Sequence, residues 1–321
     1  MPIIFSVGTA TSLLVTGASG FVGARVVASA LERGHHVTAL VGPRSSVHRL
    51  APLRHHIDLV RADITDAPAL SRAVAAAQTE VCIHLAAAGA VVRDDDLEAL
   101  LAANAVAPAR LAEALGRAGG TRLVTAGSSS EYGTPAGAMD EALAACPDDP
   151  YGVAKLAGGL LAGVVAARHG LQTAHLRLFS VYGPGEDPRR LVPAVLRALL
   201  ARQPIALTPG NQVRDFVYVD DAAQALLDAA ERPLPDRVTL NVGTGVQTTV
   251  RELCEIAAEL TGGRHLLRFG ALPYRADERF QWQAATAHAR EVMGWTAPTS
   301  LAEGLAITVD EQRGELWGIA A

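Results

Sequence analysis

The sequence is poor in cysteine, in charge and in long apolar runs, and each shortage excludes a class of protein. Its three cysteines, Cys82, Cys146 and Cys254, lack the paired spacing of thiolate metal sites and disulfide frameworks, so we expect reduced thiols and no metal. Charged residues make up 19% of the chain and the net charge is −5, which argues against nucleic acid as a partner. Once glycines, prolines and charges are counted as breaks, no uninterrupted apolar stretch approaches the roughly 18 residues of a membrane span. We expect a cytoplasmic protein that has no membrane partner.

Lysine is the scarcest charged residue. Among 28 lysines and arginines the only lysine is Lys155, four residues after Tyr151. Residues four apart lie on one face of a helix, and a nearby ammonium lowers a tyrosine pKa from about 10 toward neutrality, where the phenol can exchange a proton with a hydroxyl or a carbonyl. Arginine has a bulkier planar fork and is a poorer donor to ribose hydroxyls. We predict that Tyr151 and Lys155 are catalytic and contact a cofactor; the alternative is an ordinary surface pair.

From Leu13 onward, short β-rich runs alternate with alanine-rich stretches that predict helices at 21–33, 67–77, 97–118 and 151–169. Strands that are apolar along their whole length and are joined by helices predict a parallel sheet covered on both faces. The expected fold class is therefore α/β, a doubly wound parallel sheet of the Rossmann type.

A glycine-rich turn, "TGASGFVG", joins the first predicted strand to the first helix. Glycine permits a tight turn and lets backbone N–H groups approach a pyrophosphate at the positive N-terminus of a helix. Such turns also occur without a ligand, but the position of this one, at the first strand–helix junction of an alternating chain, favours a dinucleotide. The predicted contacts are Gly17, Ser19, Gly20, Phe21, Val22 and Gly23.

This turn suggests a division of the chain. We assign residues 1–180 to a dinucleotide-binding domain and residues 181–321 mainly to a smaller α/β substrate-binding lobe. Strands near 212–220 and 238–245 are expected to return to the first domain. The apolar opening segment, residues 1–17, lacks the basic region of an export signal, and we interpret it as the first strand with a short extension.

The end of the second strand bears on the choice between NADP and NAD. Enzymes that prefer NAD commonly place an acid there, roughly 20 residues beyond the glycines, where it binds the ribose hydroxyls. This chain has Val41 at that place and Arg44 shortly after it, which favours the 2′-phosphate of NADP, with NAD as the alternative. Arg44 could instead point into solvent. Asp63, after the third strand, is predicted to contact the adenine; the alternative is a cap on the helix that follows.

A hydroxyl that binds the reacting oxygen is expected beside the tyrosine. The segment "VTAGSSSEYG" supplies serines at the C-terminal end of a parallel strand, where ligands of open α/β sheets bind. We choose Ser128 for this role. Serines also cluster in turns and cap helices without doing chemistry, which is the alternative for Ser129 and Ser130.

The predicted helix 151–169 carries no charged side chain between Lys155 and Arg168, and small residues occur on every face. Such a helix is not suited to face water on any side. We predict a symmetric homodimer in which this helix and helix 97–118 form the interface, with the small residues allowing a partner helix to approach closely.

Several motifs together identify a resemblance that covers the chain from about residue 13 to its end. The chain resembles the extended short-chain dehydrogenase/reductase family, specifically its nucleotide-sugar epimerase/dehydratase branch, through motifs that occur in one order: "TGASGFVG", "CIHLAAAG", "AANAVAPARLAEAL", "GSSSEYG", "PYGVAK", "LRLFSVYGPG" and "VRDFVYVDDAAQA".

The resemblance implies roles for particular residues. It makes Ser128, Tyr151 and Lys155 the catalytic set. The further cofactor contacts it implies are Ile64, Leu85, Ala86, Ala87 and Asn104. The substrate contacts it implies, for a nucleotide-diphosphate sugar, are Ser128, Ser129, Ser180, Arg214 and Arg275. The two arginines suit the diphosphate, because a planar guanidinium binds phosphate bidentately; a surface salt bridge is the alternative for each.

Two departures from the branch narrow the expected function. Its sugar 4,6-dehydratases carry an Asp-Glu pair where this chain has Ser129 and Ser130, so elimination lacks its acid and base and dehydration is not expected. Ser180 stands where relatives have asparagine, which leaves that substrate contact open.

Three functions remain. We expect first the NADPH-dependent reduction of a 4-keto-sugar nucleotide, in which Tyr151 donates the proton and Ser128 polarises the oxygen. The alternative enzyme is an NAD-dependent nucleotide-sugar 4-epimerase. A hypothesis from another class is a regulator that binds a dinucleotide without turnover, and the Tyr151–Lys155 pair argues against it.

Overall fold

The computed structural model describes residues 10–89, 96–276 and 278–317, and the extension expected before the first strand lies mostly outside them. The chain forms two compact units. The first comprises the residues up to Glu131 together with Asp149–Arg177 and Ala223–Leu240. The second comprises Tyr132–Asp148, Leu178–Ala222 and the residues from Asn241 onward.

Strands and helices alternate along the described residues. The strands are β1 Ser12–Thr16, β2 His36–Val41, β3 Ile57–Arg61, β4 Val81–His84, β5 Arg122–Ser128, β6 Gln172–Leu178, β7 Ser180–Tyr182, β8 Ile205–Leu207, β9 Val213–Arg214, β10 Phe216–Tyr218, β11 Arg237–Val242, β12 Thr248–Thr249 and β13 Leu267–Phe269. The helices are α1 Phe21–Glu32, α2 Ala67–Ala77, α3 Leu97–Leu101, α4 Ala107–Arg117, α5 Pro150–Arg168, α6 Leu191–Leu200, α7 Val219–Glu231, α8 Val250–Thr261, α9 Ala287–Met293 and α10 Leu301–Trp317.

One sheet carries the first unit. Its strand order is β11-β6-β5-β4-β1-β2-β3, and the pairs among β1 to β5 are parallel. The order reverses between β1 and β4, the point at which open α/β sheets bind ligands. The predicted doubly wound α/β fold of the Rossmann type is confirmed.

Apolar side chains on both faces of the sheet explain why it forms. Leu14, Leu40, Cys82 and Leu123 come from four of its strands and are fully buried, and Leu111 of α4 packs with them in one core cluster. Burying a side chain of this size stabilises the fold by roughly 1.5–3 kcal/mol. The residues that alternate with them, such as Leu13, Ile83 and Val124, are also buried, so these strands show the continuous apolar runs of a sheet covered on two faces.

The predicted helix 97–118 is interrupted. Between α3 and α4, residues Ala102–Val106 form a π-helical turn. Pro108, in the first turn of α4, has no N–H to donate to the carbonyl four residues earlier, that of Asn104, and a wider turn accommodates this loss. A Cβ atom at Gly158 of α5 would lie 2.0 Å from that carbonyl oxygen, so only a glycine lets α5 pack there.

Short strand pairs belong to the second unit. The prediction that the segment near 212–220 returns to the main sheet was wrong, because β9 pairs with β12 and β10 pairs with β7. β11, in contrast, forms one edge of the main sheet. Apolar alternation marks a segment as a strand but does not determine its partner, which explains the error.

Helix α5 is long and apolar enough to cross a membrane by length and composition. Core helices of soluble proteins pass the same test. α5 packs against α4 and β5, and Lys155, Ala162 and Ala166 are among its buried residues. The helix is therefore best explained as part of the core of the first unit.

Candidate active site

Two glycines of the glycine-rich turn lie so close to neighbouring backbone atoms that a side chain would not fit at either position. Gly17 has φ +67°, and a Cβ atom on it would lie 2.6 Å from the backbone nitrogen of Ala86. A Cβ atom on Gly23 would lie 2.2 Å from the carbonyl oxygen of Gly17. Both positions require glycine, which brings the β1–α1 turn against the loop after β4.

The start of α1 fits the diphosphate of a dinucleotide. Gly20 is its N-cap residue and offers no side chain to the N–H groups of the first turn. The first turn of α1 also contains no acidic residue. Those N–H groups and the helix dipole give a positive end that favours an anion. Ser19 precedes this end, and Phe21 and Val22 begin the helix, as a phosphate cradle requires.

The loop after β4 is fixed by side chains on either side of it. The hydroxyl oxygen of Thr16 accepts the N–H groups of Leu85 and Ala86 at 3.3 and 3.4 Å. Asn104, in the π-helical turn, is buried, and its side chain forms two hydrogen bonds with the backbone of Ala88 at 3.0 and 2.9 Å. Leu85, Ala86 and Ala87 are thereby held beside Gly17, where the resemblance implies cofactor contacts.

At the end of β2, Val41 is buried and Arg44 is exposed. A second arginine that we did not predict lies here. Nη1 of Arg61 donates at 3.1 to 3.2 Å to the carbonyl oxygens of three loop residues, Gly42, Pro43 and Ser45. Two positive side chains therefore lie in or against the loop after β2, Arg44 and Arg61, and residues 41–46 contain no acid.

Asp63 closes its own turn. Its Oδ1 atom accepts both the N–H and the hydroxyl of Thr65, at 2.9 and 2.7 Å, and these hydrogen bonds lower its pKa. The alternative that it caps the following helix was wrong, because Asp66 is the N-cap residue of α2. Ile64 packs against the core of the first unit. Their contacts with a cofactor stay predictions.

Helix α5 begins one residue before the predicted catalytic tyrosine. Asp149 is its N-cap residue and accepts the N–H of Gly152 at 2.7 Å, and Pro150 starts the helix. Tyr151 is half-buried in the first turn, and Lys155, one turn further along, is 8% exposed. Burial lowers the pKa of Lys155 to about 8, against the opposing charge of Glu131, so its amine is still mainly an ammonium at neutral pH.

Tyr151 lies near the loop after β4, where the resemblance implies cofactor contacts. A Cβ atom on Gly89 of this loop would lie 3.8 Å from Cδ2 of its ring. The same loop touches Gly17 through Ala86. The structure thus brings the predicted tyrosine and the predicted cradle to one loop.

Ser128 ends β5, as the sequence predicted. Its hydroxyl oxygen accepts the N–H of Ser130 at 3.1 Å, which leaves the hydroxyl hydrogen able to donate elsewhere. The backbone N–H of Ser128 donates to Oε1 of Glu131 at 2.8 Å. Ser129 is buried. Glu131, which sequence reasoning missed, thus holds the turn that presents Ser128.

Glu131 is itself engaged in a buried ion cluster with two side chains of β6. Nε2 of His175 lies 2.9 and 3.0 Å from its two oxygens, and Nε of Arg177 donates to it at 2.8 Å. Burial alone would raise the pKa of Glu131, but His175 and Arg177 outweigh burial and lower it to about 2. The acid directly after the serine run is therefore a fixed carboxylate.

The second unit contains the residues predicted to bind a diphosphate. Arg214 donates to Oε1 of Glu278 at 2.6 Å, and Arg275, which is 74% exposed, lies 3.8 Å from the other oxygen of that carboxylate. The guanidinium of Arg279, a third arginine that sequence reasoning missed, lies 4.8 Å from the ring centre of Trp282. One carboxylate thus brings the two predicted arginines together.

Ser180 begins β7 in the second unit. Its backbone N–H donates to the carbonyl oxygen of Asp215 at 3.0 Å, and its side chain is half-buried. Its substrate contact stays a prediction.

Known proteins resemble this chain in sequence and in fold. The sequence matches the model of the NAD dependent epimerase/dehydratase family over residues 13–243. It is 36% identical to the UDP-glucose 4-epimerase of Mycolicibacterium smegmatis over 308 residues, which cover 92% of this chain and 97% of that protein.

Two solved structures have the same fold. MoeE5 in complex with UDP-glucose and NAD has a TM-score of 0.85 and 35% identity, over 95% of this chain and 99% of that one. The UDP-glucose 4-epimerase of Thermotoga maritima with UDP-glucose has a TM-score of 0.87 and 28% identity, over 95% and 99%. The expected resemblance is confirmed over nearly the whole chain.

Proposed function

The chain belongs to the NAD dependent epimerase/dehydratase family, and on this premise we propose that it interconverts the C4 epimers of a UDP-hexose with NAD as its bound cofactor. The sequence alone favoured an NADPH-dependent reductase. The similar proteins include UDP-glucose 4-epimerases and a complex with NAD, so the epimerase is now the first choice.

The observation that carries the proposal is the placement of Lys155 one turn after Tyr151 on α5, with Tyr151 near the loop that also touches the glycine-rich turn. Tyr151 takes the proton of the C4 hydroxyl and returns it after the sugar has turned. Ser128 donates its hydroxyl hydrogen to the C4 oxygen, which steadies the transient ketone. Lys155 keeps its positive charge near the phenol and offers N–H donors to ribose hydroxyls. A bound nicotinamide would accept the hydrogen of C4 with its electron pair and return both to the opposite face.

Dehydration fits the site poorly. Ser129 and Ser130 replace the acid and base that it needs. Glu131 follows them, but it is fully buried and is held as a carboxylate by the Arg177 guanidinium and the His175 ring. It therefore has no proton to supply to a leaving group.

One observation favours the NADPH-dependent ketoreductase as a second candidate. Val41 leaves the end of β2 without the acid that would repel a 2′-phosphate, and Arg44 and Arg61 lie in or against the following loop. A phosphate there would gain charge-assisted hydrogen bonds.

Two incubations distinguish the epimerase, the reductase and the regulator. The purified protein is mixed with UDP-glucose without added cofactor, and the products are followed by chromatography. Formation of the C4 epimer, together with NAD released on denaturation, supports the epimerase. A reaction that begins only when NADPH and a 4-keto-sugar nucleotide are supplied supports the reductase, and binding of dinucleotide without turnover of either substrate supports the regulator.

Arg214 is proposed to bind the substrate diphosphate in the second unit, which is the proposed substrate lobe. Arg214→Ala is expected to weaken the binding of UDP by about 10- to 100-fold, because hydrogen bonds to charged groups contribute roughly 1.5–3 kcal/mol. Titration calorimetry with UDP measures this without turnover. Arg264→Ala, at a 70% exposed arginine of the same unit, is the control. Equal affinity in the two variants would remove Arg214 from the site.

The exposed face of α5 supports the proposal of a homodimer. Large apolar side chains on it are about half exposed, which is unusual for a helix that faces water: Val153, Leu160, Leu161 and Val164. Its small residues have another role, because a Cβ atom at Gly158, Gly159 or Gly163 would strike Asn104, His175 or Arg237 of the same chain. The proposed interface with a second copy therefore uses the large side chains.

Leu160→Glu combined with Val164→Glu is expected to convert the protein to a monomer, since two carboxylates one turn apart cannot be buried unpaired at an interface. Light scattering after size-exclusion chromatography measures the mass. Ile307→Glu, at an equally exposed apolar residue of α10, is the control and should leave the mass unchanged. A wild-type protein that is monomeric at high concentration would contradict the dimer.

We also propose that the protein is cytoplasmic. The buried Cys82 and Cys254 and the exposed Cys146 are all free thiols, as expected of a reducing cytoplasm. Fractionation of cells that express the protein tests this directly.

A further inference from the structure

The ring of His175 occupies a space that the chain keeps open with two glycines. A Cβ atom on Gly127 of β5 would lie 2.5 Å from Nε2 of His175 and 2.6 Å from Oε1 of Glu131. A Cβ atom on Gly159 of α5 would lie 2.5 Å from Cε1 of the same ring. The imidazole therefore lies between strand and helix, and Gly159 is one turn after Lys155.

The ring also has a partner on its other side. Nδ1 of His175 is 2.8 Å from the hydroxyl oxygen of Thr125, which lies on β5. His175 thus joins Thr125 to Glu131, while Glu131 accepts the N–H of Ser128 from the same strand. Thr125 and Ser128, both on β5, thus belong to one hydrogen-bonded cluster with His175 and Glu131.

Two titratable groups act on Lys155 from the elements packed near it. Glu131 favours its ammonium form and so opposes the effect of burial. His84, at the end of β4, hydrogen-bonds Thr16 at 2.7 Å, and burial together with the charge of Lys155 lowers its pKa to about 3, so its ring is neutral. Of these two, the Glu131 carboxylate is the one that carries charge at neutral pH.

We propose that Glu131, held by His175 and Arg177, is a positioning residue that fixes Ser128 at the reacting oxygen and places a negative charge near Lys155. This inference rests on the proposed function. Glu131 touches no reacting atom itself; it acts through the Ser128 backbone and through its charge.

Stability alone is a poor reason for this cluster. Replacing a buried ion pair by packed apolar residues is often neutral or stabilising, because desolvating the charges costs as much as their attraction returns. Here the charges lie immediately behind Ser128, and two glycines leave the room that they occupy. Both glycines are explained if the charge of Glu131 is needed at this place.

The lone lysine gives a direct test that does not depend on turnover. In protein labelled with ¹³C-lysine, Lys155 supplies the side-chain lysine signal, and its titration by NMR reports its pKa. We expect a midpoint near 8 in the wild type. In Glu131→Gln, which keeps the shape and removes the charge, the ammonium loses its favourable partner and the midpoint moves to lower pH.

Glu231→Gln is the matched control. Glu231 belongs to the same unit and also pairs with an arginine and a histidine, Arg33 and His35, both at 2.8 Å. It lies at the end of α7 and hydrogen-bonds neither Ser128 nor Lys155 among the contacts that the structure describes. Its variant should leave the Lys155 titration as in the wild type. An unchanged midpoint in folded Glu131→Gln would overturn the charge effect, whatever substrate the enzyme uses.

Kinetics test the effect on Ser128. In Glu131→Gln we expect kcat to fall by up to about 10²-fold with KM nearly unchanged, because a misplaced group lowers the rate more than it lowers substrate binding. The alkaline decline of kcat should also move to lower pH, in step with the Lys155 midpoint. A folded variant with wild-type kcat and pH profile would overturn the proposal.

Thr125→Val serves if Glu131→Gln does not fold. It removes the hydrogen bond at Nδ1 of His175 and keeps the shape of the side chain. A several-fold loss of kcat with unchanged KM, in a protein that unfolds at a similar temperature, supports positioning through His175. Wild-type kcat in this variant would contradict it.

Discussion

Tyr151→Phe is expected to lower kcat for UDP-hexose epimerisation by roughly 10²- to 10⁴-fold, the range that a positioned acid–base group contributes. The substitution removes the phenol oxygen that exchanges the C4 proton and keeps the ring beside Gly89. The loss should appear in kcat measured at saturating substrate, with KM changed little, because the ring is still present to pack against a bound ligand.

Tyr182→Phe is the matched control for that loss. It also deletes a tyrosine hydroxyl, one that donates to the carbonyl oxygen of Leu301 at 3.3 Å in the second unit. We expect it to cost about 1 kcal/mol of folding stability and to leave kcat unchanged. Wild-type kcat in a folded, NAD-loaded Tyr151→Phe protein would exclude the phenol as the acid–base group.

Lys155→Arg should be nearly as damaging, although it keeps a positive charge in a chain whose other basic residues are arginine. Lys155 is buried, and a guanidinium fork requires more space than an ammonium and cannot rotate its donors in the same way. We expect roughly a 10²-fold loss of kcat, from the misplaced charge. Lys155→Met removes the charge as well and should lose more.

The retained cofactor distinguishes the two tasks of Lys155. NAD per protein, measured after denaturation, should fall in both variants because ribose contacts are lost, whereas saturating added NAD should restore binding without restoring kcat. Full turnover in Lys155→Arg would show that a compact ammonium is not required. Recovery of kcat on addition of NAD alone would show that Lys155 binds the cofactor and has no further role in turnover.

The elements that the sequence predicts well are those set by neighbouring residues. The predicted catalytic pair lies where i and i+4 spacing predicts, on a helix that begins at Pro150 with Asp149 as its cap. Gly17 and Gly23 are required because the turn between β1 and α1 is tight, and a strand–turn–helix pattern already predicts such a turn. Local chemistry and the alternation of elements were therefore enough for the fold class and the proposed cofactor side.

Contacts between distant parts of the chain could not be predicted in this way. Glu131 and His175 are 44 residues apart and meet because β5 and β6 are neighbours, which no local pattern shows. Arg177 pairs with Glu131 through the same strand neighbours, and no local pattern shows this partner either. The same limit explains Arg61, which ends β3 and supports the loop after β2, and the glycines of α5, which accommodate groups of their own chain.

The most direct test of whether Lys155 lowers the pKa of Tyr151 compares the titration of Tyr151 with and without the lysine. Phenolate absorbance is titrated in the wild type, in Tyr151→Phe and in Lys155→Met, each with NAD bound. We expect one tyrosine of the wild type to ionise at lower pH than the others. This titration step should be absent from Tyr151→Phe and should return to the ordinary range in Lys155→Met. Identical titrations in the wild type and Lys155→Met would contradict it.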